Sequence, residues 1–170
     1  MPDQSFIIQE LARNRGVFRH LLTDKTREEY HWRPAPEKWD LLEIVCHLHD
    51  EEREDFRARV QCTLTKPDQS PPPINPVGWV LERNYAGQDY EGMLSKFLKE
   101  REESVAWLRS LRSPKWGNAY RHSQLGMLSA GMFLANWLAH DYLHIRQINR
   151  YCFEFLKQQS GQDLSYAGTW

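Results

Sequence analysis

Two histidines, His140 and His144, lie four residues apart in a strongly helical segment, residues 137–148. In an α-helix, side chains at positions i and i+4 leave the same face, with their Cβ atoms about 5–6 Å apart. Two imidazoles placed in this way can share one metal ion, because neutral imidazole is a common ligand of transition metals. The spacing therefore predicts a candidate metal site.

The helical face that carries the two histidines is otherwise largely apolar. At 100° per residue, the other positions on or beside this face are Phe133, Trp137, Asp141, Ile148, Tyr151 and Phe155. A helical bundle would bury such a face, and buried polar groups without partners are destabilising. The two rings therefore need either a metal ion or hydrogen bonds.

A metal site would need a third ligand, because two histidines from one helix rarely suffice. The candidates are His47 and His49, which lie on an earlier predicted helix. They are about 200° apart around that helix, so only one can face a given site. Periodicity slightly favours His49, which lies closer to the apolar stripe through Val45 and Phe56, whereas His47 lies beside Glu51.

The composition indicates one folded domain over residues 1–170 and excludes several classes of function. The net charge is −1, so the chain lacks the basic character that binding to nucleic acid requires. No apolar run approaches the roughly 20 residues that span a bilayer, and the N-terminus does not read as a signal peptide. The 3 cysteines form no CxxC pair. These features predict a cytoplasmic protein without a membrane partner.

Helical periodicity dominates the chain. The predicted helices cover about residues 3–22, 40–65, 90–111 and 125–157, and a short helix fits within residues 75–84. Asp3 and Asp40 are predicted N-caps, and Glu43 completes a capping box with Asp40. Four long helices joined by loops predict an all-α fold, an up-and-down four-helix bundle with a metal site between its helices.

Two motifs resemble those of the DinB-like superfamily. They are Trp39-x3-Glu43-x3-His47 on the second helix and His140-x3-His144-x2-Gln147 on the last. The resemblance covers about residues 5–157. It implies a four-helix bundle in which one histidine of the second helix and two of the last bind a divalent metal. Carried over residue by residue, the ligands are His47, His140 and His144, although the additional His49 leaves the register open.

The resemblance also implies a class of chemistry. Three protein ligands with an open coordination position are typical of catalytic rather than structural sites. Relatives include thiol-dependent S-transferases and isomerases, and the iron-binding part of sulfoxide synthases. We therefore expect zinc or nickel, with iron as an alternative, a low-molecular-weight thiol as a further cofactor, a small-molecule substrate and a homodimer. The predicted activity is S-transfer or hydrolysis, and no catalytic residue is assigned.

Two other functions fit the same sequence. One is a non-catalytic metal-binding or stress-related scaffold, in which the metal mainly adds stability. The other is a purely structural bundle, which the absence of co-purifying metal would favour. A lack of metal-dependent thiol consumption would count strongly against the thiol-transfer form of the enzyme hypothesis.

Several neighbouring residues have both a functional and a structural interpretation. Asp141 is expected to support the site or to lie on the surface, and Glu51 to orient a ligand or act as a base. A solvated acidic face over residues 50–54 is the favoured interpretation of Glu51. Gln147 is expected either to hydrogen-bond near the site or to make a helix contact.

The remaining expectations concern packing and the surface. Trp79 and Tyr85 are candidates to roof a pocket, and Cys46 is expected to be a small buried hydrophobic residue. Arg146 and Arg150 are weak candidates to bind the carboxylates of a thiol cofactor and are otherwise surface residues. The charged run over residues 99–103 is expected to be a solvated face.

Overall fold

A bundle of four long helices forms the body of the protein, as the sequence predicts. The computed structural model describes residues 4–170. The first, third and fourth bundle helices are α1 (Gln4–Leu22), α6 (Tyr90–Ser110) and α7 (Ala130–Ser160). The second bundle helix is built from three consecutive helical segments, and we call it the rod. The rod consists of α3 (Leu41–Asp50), a π-helical segment (Glu51–Arg57) and α4 (Ala58–Thr65). Across residues 4–170, no helix combines the length and apolar character needed to cross a membrane.

Shorter elements connect the bundle helices. They are α2 (Arg27–His31), α5 (Pro76–Glu82), 3₁₀ turns at Tyr85–Gly87 and Ser165–Ala167, and strands β1 (Ala119–His122) and β2 (Gly126–Ser129). The short helix predicted within residues 75–84 is present as α5. In contrast, α2 occupies a stretch for which no helix was predicted.

The last bundle helix begins later than predicted, at Ala130 rather than near residue 125, because β2 precedes it. β1 and β2 pair as an antiparallel hairpin in which Ala119 faces Ser129 and His122 faces Gly126. The turn is closed by His122, whose Nδ1 accepts hydrogen bonds from the backbone N–H groups of Gln124 and Leu125. Gly126 adopts a φ of 77°, which favours glycine.

Side-chain caps fix where the helices begin. Asp40 accepts a hydrogen bond from the backbone N–H of Glu43, and the Glu43 carboxylate accepts one from the backbone N–H of Asp40. This reciprocal capping box starts α3 at the predicted position. Thr26 and Glu29 form an equivalent box that explains α2. The predicted cap Asp3 lies outside the described residues.

The four bundle helices pack in a ring. α1 lies against α6 and α7, and the rod also lies against α6 and α7. The rod and α1 therefore occupy opposite corners of the bundle. This arrangement makes the rod and α7 neighbours, so the histidines predicted on these two helices lie on adjacent elements.

The core of the bundle consists of two apolar clusters with a polar layer between them. One cluster includes Phe18, Leu48, Phe97 and Ile148, and the other includes Leu11, Phe56, Val105 and Leu138. Between these positions, each bundle helix contributes a buried residue to one hydrogen-bonded polar layer: Asn14, Glu52, Arg101 or Asp141. The polar layer therefore crosses the middle of all four helices.

Candidate metal centre

Three histidines from two neighbouring bundle helices meet beside the polar layer. His47 Nε2 on α3 lies 3.3 Å from His140 Nε2 on α7. His144 Nε2 lies 3.1 Å from the same His140 nitrogen. One ligand nitrogen of each histidine lies within 4.8 Å of those of the other two. The structure thus brings together His47, His140 and His144, the set that the resemblance implies.

Aromatic side chains hold two of the three rings in place. Trp39, which directly precedes the cap of α3, packs against His47 with ring centroids 4.9 Å apart. Phe56, in the π-helical segment, packs against His140 with centroids 5.0 Å apart. His47 is buried, whereas His140 and His144 are partly accessible. The cluster is therefore covered by aromatic rings from the rod and from the residue before it, while its two histidines on α7 keep some access to solvent.

Burial keeps all three imidazoles neutral. Desolvation lowers the pKa of His47 to about 3, that of His140 to about 2 and that of His144 to about 4. His144 lowers the pKa values of the other two further, and the Arg101 guanidinium adds to the effect at His140. Metal ligation requires neutral imidazole, so the cluster is in the required protonation state at neutral pH.

Gln147 fixes the tautomer of His144. His144 Nδ1 donates a hydrogen bond to Gln147 Oε1 over 2.8 Å, because the amide oxygen can only accept. The proton of the neutral ring therefore resides on Nδ1, and the Nε2 lone pair is directed at the cluster. A polar partner on the outer nitrogen is typical of metal-binding histidines. The structure thus favours the site-related interpretation of Gln147.

Hydrogen bonding among the three rings cannot satisfy the cluster. A neutral imidazole nitrogen either donates one proton or offers one lone pair. His140 Nε2 can therefore form a proper hydrogen bond with only one of its two close neighbours. Three nitrogens bound to one tetrahedral ion at about 2.0–2.1 Å would lie roughly 3.3–3.4 Å apart. The distances from His140 Nε2 to the other two nitrogens, 3.3 and 3.1 Å, are close to this spacing. The donor set therefore fits a divalent transition metal.

The lowered pKa values predict how the metal-free protein responds to acid. Below pH 6.5 the unfolded histidines bind protons, whereas the folded ones, with pKa values of about 2–4, do not. The free energy of unfolding should therefore fall as the pH drops from 6.5 toward 4. The slope approaches about 1.4 kcal/mol per pH unit for each histidine. Urea unfolding at several pH values measures this slope.

A comparison with the His140→Ala/His144→Ala variant isolates the contribution of the histidines. Glu51 acts in the opposite direction, because burial and the neighbouring Asp55 raise its pKa and it takes up a proton on folding. Both proteins retain Glu51, so the difference between their slopes reports the two histidines. Equal slopes would contradict the assignment of neutral, buried rings.

His49, the alternative third ligand, lies elsewhere. Its Nδ1 lies 3.3 Å from Asp50 Oδ1, and it takes no part in the histidine cluster. Asp50 in turn accepts a hydrogen bond from the Tyr85 hydroxyl and forms an ion pair with Arg83. The slight preference of helical periodicity for His49 is therefore not reflected in the geometry. His47 and His49 face different sides of α3, as their 200° separation requires.

The acidic run after α3 is buried, and the prediction of a solvated face there is wrong. Asp50, Glu51, Glu52 and Asp55 are all buried. Among residues 4–170, no protein group hydrogen-bonds to Glu51 Oε1. Glu51 and Asp55 lie in hydrogen-bonding contact, and Asp55 pairs with Arg59. Burial and the neighbouring Asp55 raise the pKa of Glu51 to about 8, so this carboxyl favours its protonated form at neutral pH.

Arg101 is the main polar residue that the sequence interpretation missed. Its guanidinium donates two hydrogen bonds to Glu52 at 2.8 Å each, and bonds of 2.6 and 2.7 Å to Asp141. The side chains of Arg101, Glu52 and Asp141 are at most 1% exposed. Arg101 belongs to the run predicted as a solvated face, but it lies four residues from both Phe97 and Val105. This position within the apolar stripe of the helix was the one sequence signal that Arg101 is buried.

Asp141 belongs to the polar layer rather than to the surface. Besides Arg101, it accepts a hydrogen bond of 3.0 Å from Asn14 on α1. Trp137, one turn earlier on α7, donates its indole N–H to Glu52 over 2.9 Å. The layer thus joins all four helices. It lies directly beside His140, which precedes Asp141 in the chain.

The remaining residues singled out in the sequence lie in the core or on the surface, outside the histidine cluster. Trp79 and Tyr85 are buried in the apolar core. Cys46 is fully buried, as predicted, and burial raises its pKa to about 12. Arg146 and Arg150 are exposed on α7.

The fold and the site together define a four-helix bundle with a three-histidine cluster. The sequence matches the DinB superfamily over residues 10–148. The chain therefore belongs to the DinB superfamily, as the two motifs suggested.

A solved structure shares this fold. It is YfiT from Bacillus subtilis, described as a probable metal-dependent hydrolase with an unusual four-helix bundle topology. The TM-score is 0.78 at 17% sequence identity, over 96% of this chain and 91% of YfiT. No curated protein matches the chain by sequence.

Proposed function

We propose that the protein is a metal-dependent enzyme that acts on a small molecule by hydrolysis or by transfer to a thiol. The proposed metal is a divalent transition metal held by His47, His140 and His144. Zinc and nickel are the first candidates. The observation that carries this proposal is the convergence of three Nε2 atoms with spacings of 3.1 and 3.3 Å. The description of YfiT as a probable metal-dependent hydrolase supports the hydrolytic form.

The proposed chemistry follows from an open site of three imidazoles. A divalent cation bound there acts as a Lewis acid and lowers the pKa of a water or thiol that enters the site. The protein residues supply orientation: Gln147 fixes the His144 ring, and Trp39 and Phe56 hold His47 and His140. Partial exposure of His140 and His144 leaves a route for the substrate.

Glu51 is the proposed proton carrier. It lies one turn after His47 on the rod, is buried and has one carboxyl oxygen without a protein partner among residues 4–170. Burial and Asp55 raise its pKa well above the ordinary value for glutamate. A carboxyl group with a raised pKa can hold a proton near neutral pH and exchange it with a substrate.

Metal content and activity should be measured on the same preparations. We expect about one zinc or nickel ion per chain by elemental analysis of untagged wild-type protein, and little in His47→Ala. We also expect metal-dependent turnover of p-nitrophenyl acetate, or of monobromobimane with cysteine or glutathione. The Glu51→Gln variant should retain its metal and lose turnover by about 100-fold, as is typical for a general acid or base.

His49→Ala is the matched control, since it removes a histidine from the same helix but from the opposite side. It should retain both metal and activity. Equal metal loss in His47→Ala and His49→Ala would contradict the assignment of His47. Bound metal without turnover of any probe would favour a scaffold in which the metal adds stability.

A further inference from the structure

An open cleft with a volume of about 1050 Å³ lies along residues 143–154 of α7. Three cationic side chains line it: Lys38 from the loop before α3, and Arg146 and Arg150 from α7. Apolar side chains, including Leu143 and Trp170, cover other parts of its wall. The cleft therefore combines a positive region with apolar surface suited to a small organic molecule.

The cationic groups of the cleft are poorly neutralised. Within residues 4–170, no acidic side chain forms an ion pair with Lys38 or Arg146. Arg150 has only Glu154, at 4.0 Å, and Glu154 is the one acidic residue in the lining. Counted over side chains alone, three positive charges against one negative charge leave the lining at +2, in a chain whose formal net charge is −1. Such a local excess attracts anions.

The cleft is connected to the histidine cluster through two side chains. Gln147 lines the cleft and accepts the hydrogen bond from His144 Nδ1. Lys38 precedes Trp39, whose ring packs against His47. Arg146 and Arg150 lie about 3 and 9 Å farther along the helix axis than His144, and about 160° and 120° around the helix from it. Gln147 lies about 60° from His144 in the same direction, between the histidine and the two arginines.

We propose that this basic cleft binds the anionic group, a carboxylate or a phosphate, of the enzyme's substrate or thiol. This inference rests on the proposed function, because it assumes that the reacting end of the molecule lies at the histidine cluster. Two arginines one helical turn apart can bind both oxygens of a carboxylate or phosphate.

Anion binding can be measured without knowing the substrate. Wild-type protein is titrated at pH 8 with inorganic phosphate, with succinate and with the neutral analogue succinamide, and amide shifts are followed by NMR. We expect saturable binding of at least one anion in the millimolar range and no binding of succinamide. The Arg146→Gln/Arg150→Gln variant should bind the anion at least about tenfold more weakly. The preferred anion distinguishes a carboxylate site from a phosphate site.

Arg109→Gln/Arg112→Gln is the matched control, because it removes two exposed arginines, one in the last turn of α6 and one just after it. It should bind the anion like wild type. Equal weakening in both double variants, or no saturable binding in wild type, would overturn the proposal. His47→Ala separates the two proposals: it should lose the metal and keep the anion. Loss of the anion in His47→Ala alone would place anion binding at the metal and overturn the cleft assignment.

Discussion

Replacing His140 and His144 with alanine should abolish the stabilisation of the protein by zinc or nickel. A ligand that binds only the folded state, at 100 times its dissociation constant, stabilises it by about 2.7 kcal/mol. For a domain of this size, the melting temperature of wild type should then rise by roughly 5–10 °C. The double variant retains only His47 of the cluster, so its melting temperature should not respond.

The measurement is a thermal unfolding curve with and without added metal, after dialysis to remove metal already present. His49→Ala provides the comparison, since His49 is buried on the same helix as His47 but hydrogen-bonds to Asp50. It should show the same rise as wild type. An equal rise in the double variant would mean that the metal binds elsewhere, and would remove the three-histidine cluster from the mechanism.

Replacing Arg101 with methionine should destabilise the protein by about 3–5 kcal/mol. The reason is that Glu52 and Asp141, both buried, would lose the cation that neutralises them. Methionine is similar in length and flexible, so little of the loss would come from an empty cavity. The free energy of unfolding from urea or guanidinium denaturation measures the effect.

Arg109→Met serves as the control for this substitution. Arg109 lies on the same helix but is exposed, so its replacement should change stability by no more than about 0.5 kcal/mol. A loss below about 1 kcal/mol for Arg101→Met would show that the polar layer contributes little.

The bundle and the histidine pair were predictable because they rest on local, periodic signals. Apolar residues at helical spacing predicted the four long helices, and the capping box of Asp40 and Glu43 predicted the start of α3. The choice between His47 and His49 was not decided by periodicity. It depended on the motif shared with the DinB superfamily.

The polar layer was not predictable in the same way, because charged residues are ordinarily exposed. Arg101, Glu52 and Asp141 come from three different helices, and Arg101 pairs with the two carboxylates only after the chain has folded. A charged residue inside an apolar stripe is the one local trace that such a layer leaves. The short helix α2 had a local signal too, in the capping box of Thr26 and Glu29.

The π-helical segment explains why straight-helix periodicity slightly favoured His49, since the stripe through Val45 and Phe56 runs into this segment. Buried positions of the rod, such as Leu48, Glu52, Phe56 and Val60, recur every four residues. In a straight α-helix these positions would drift by about 120° from first to last. The wider π turns take up this drift and keep one continuous stripe inside. Read with the period of a straight α-helix, the apolar positions before and after the π-helical segment therefore point in different directions, although in the folded rod they form one stripe. Deleting one residue from the segment would rotate α4 against the histidine end by about a quarter turn.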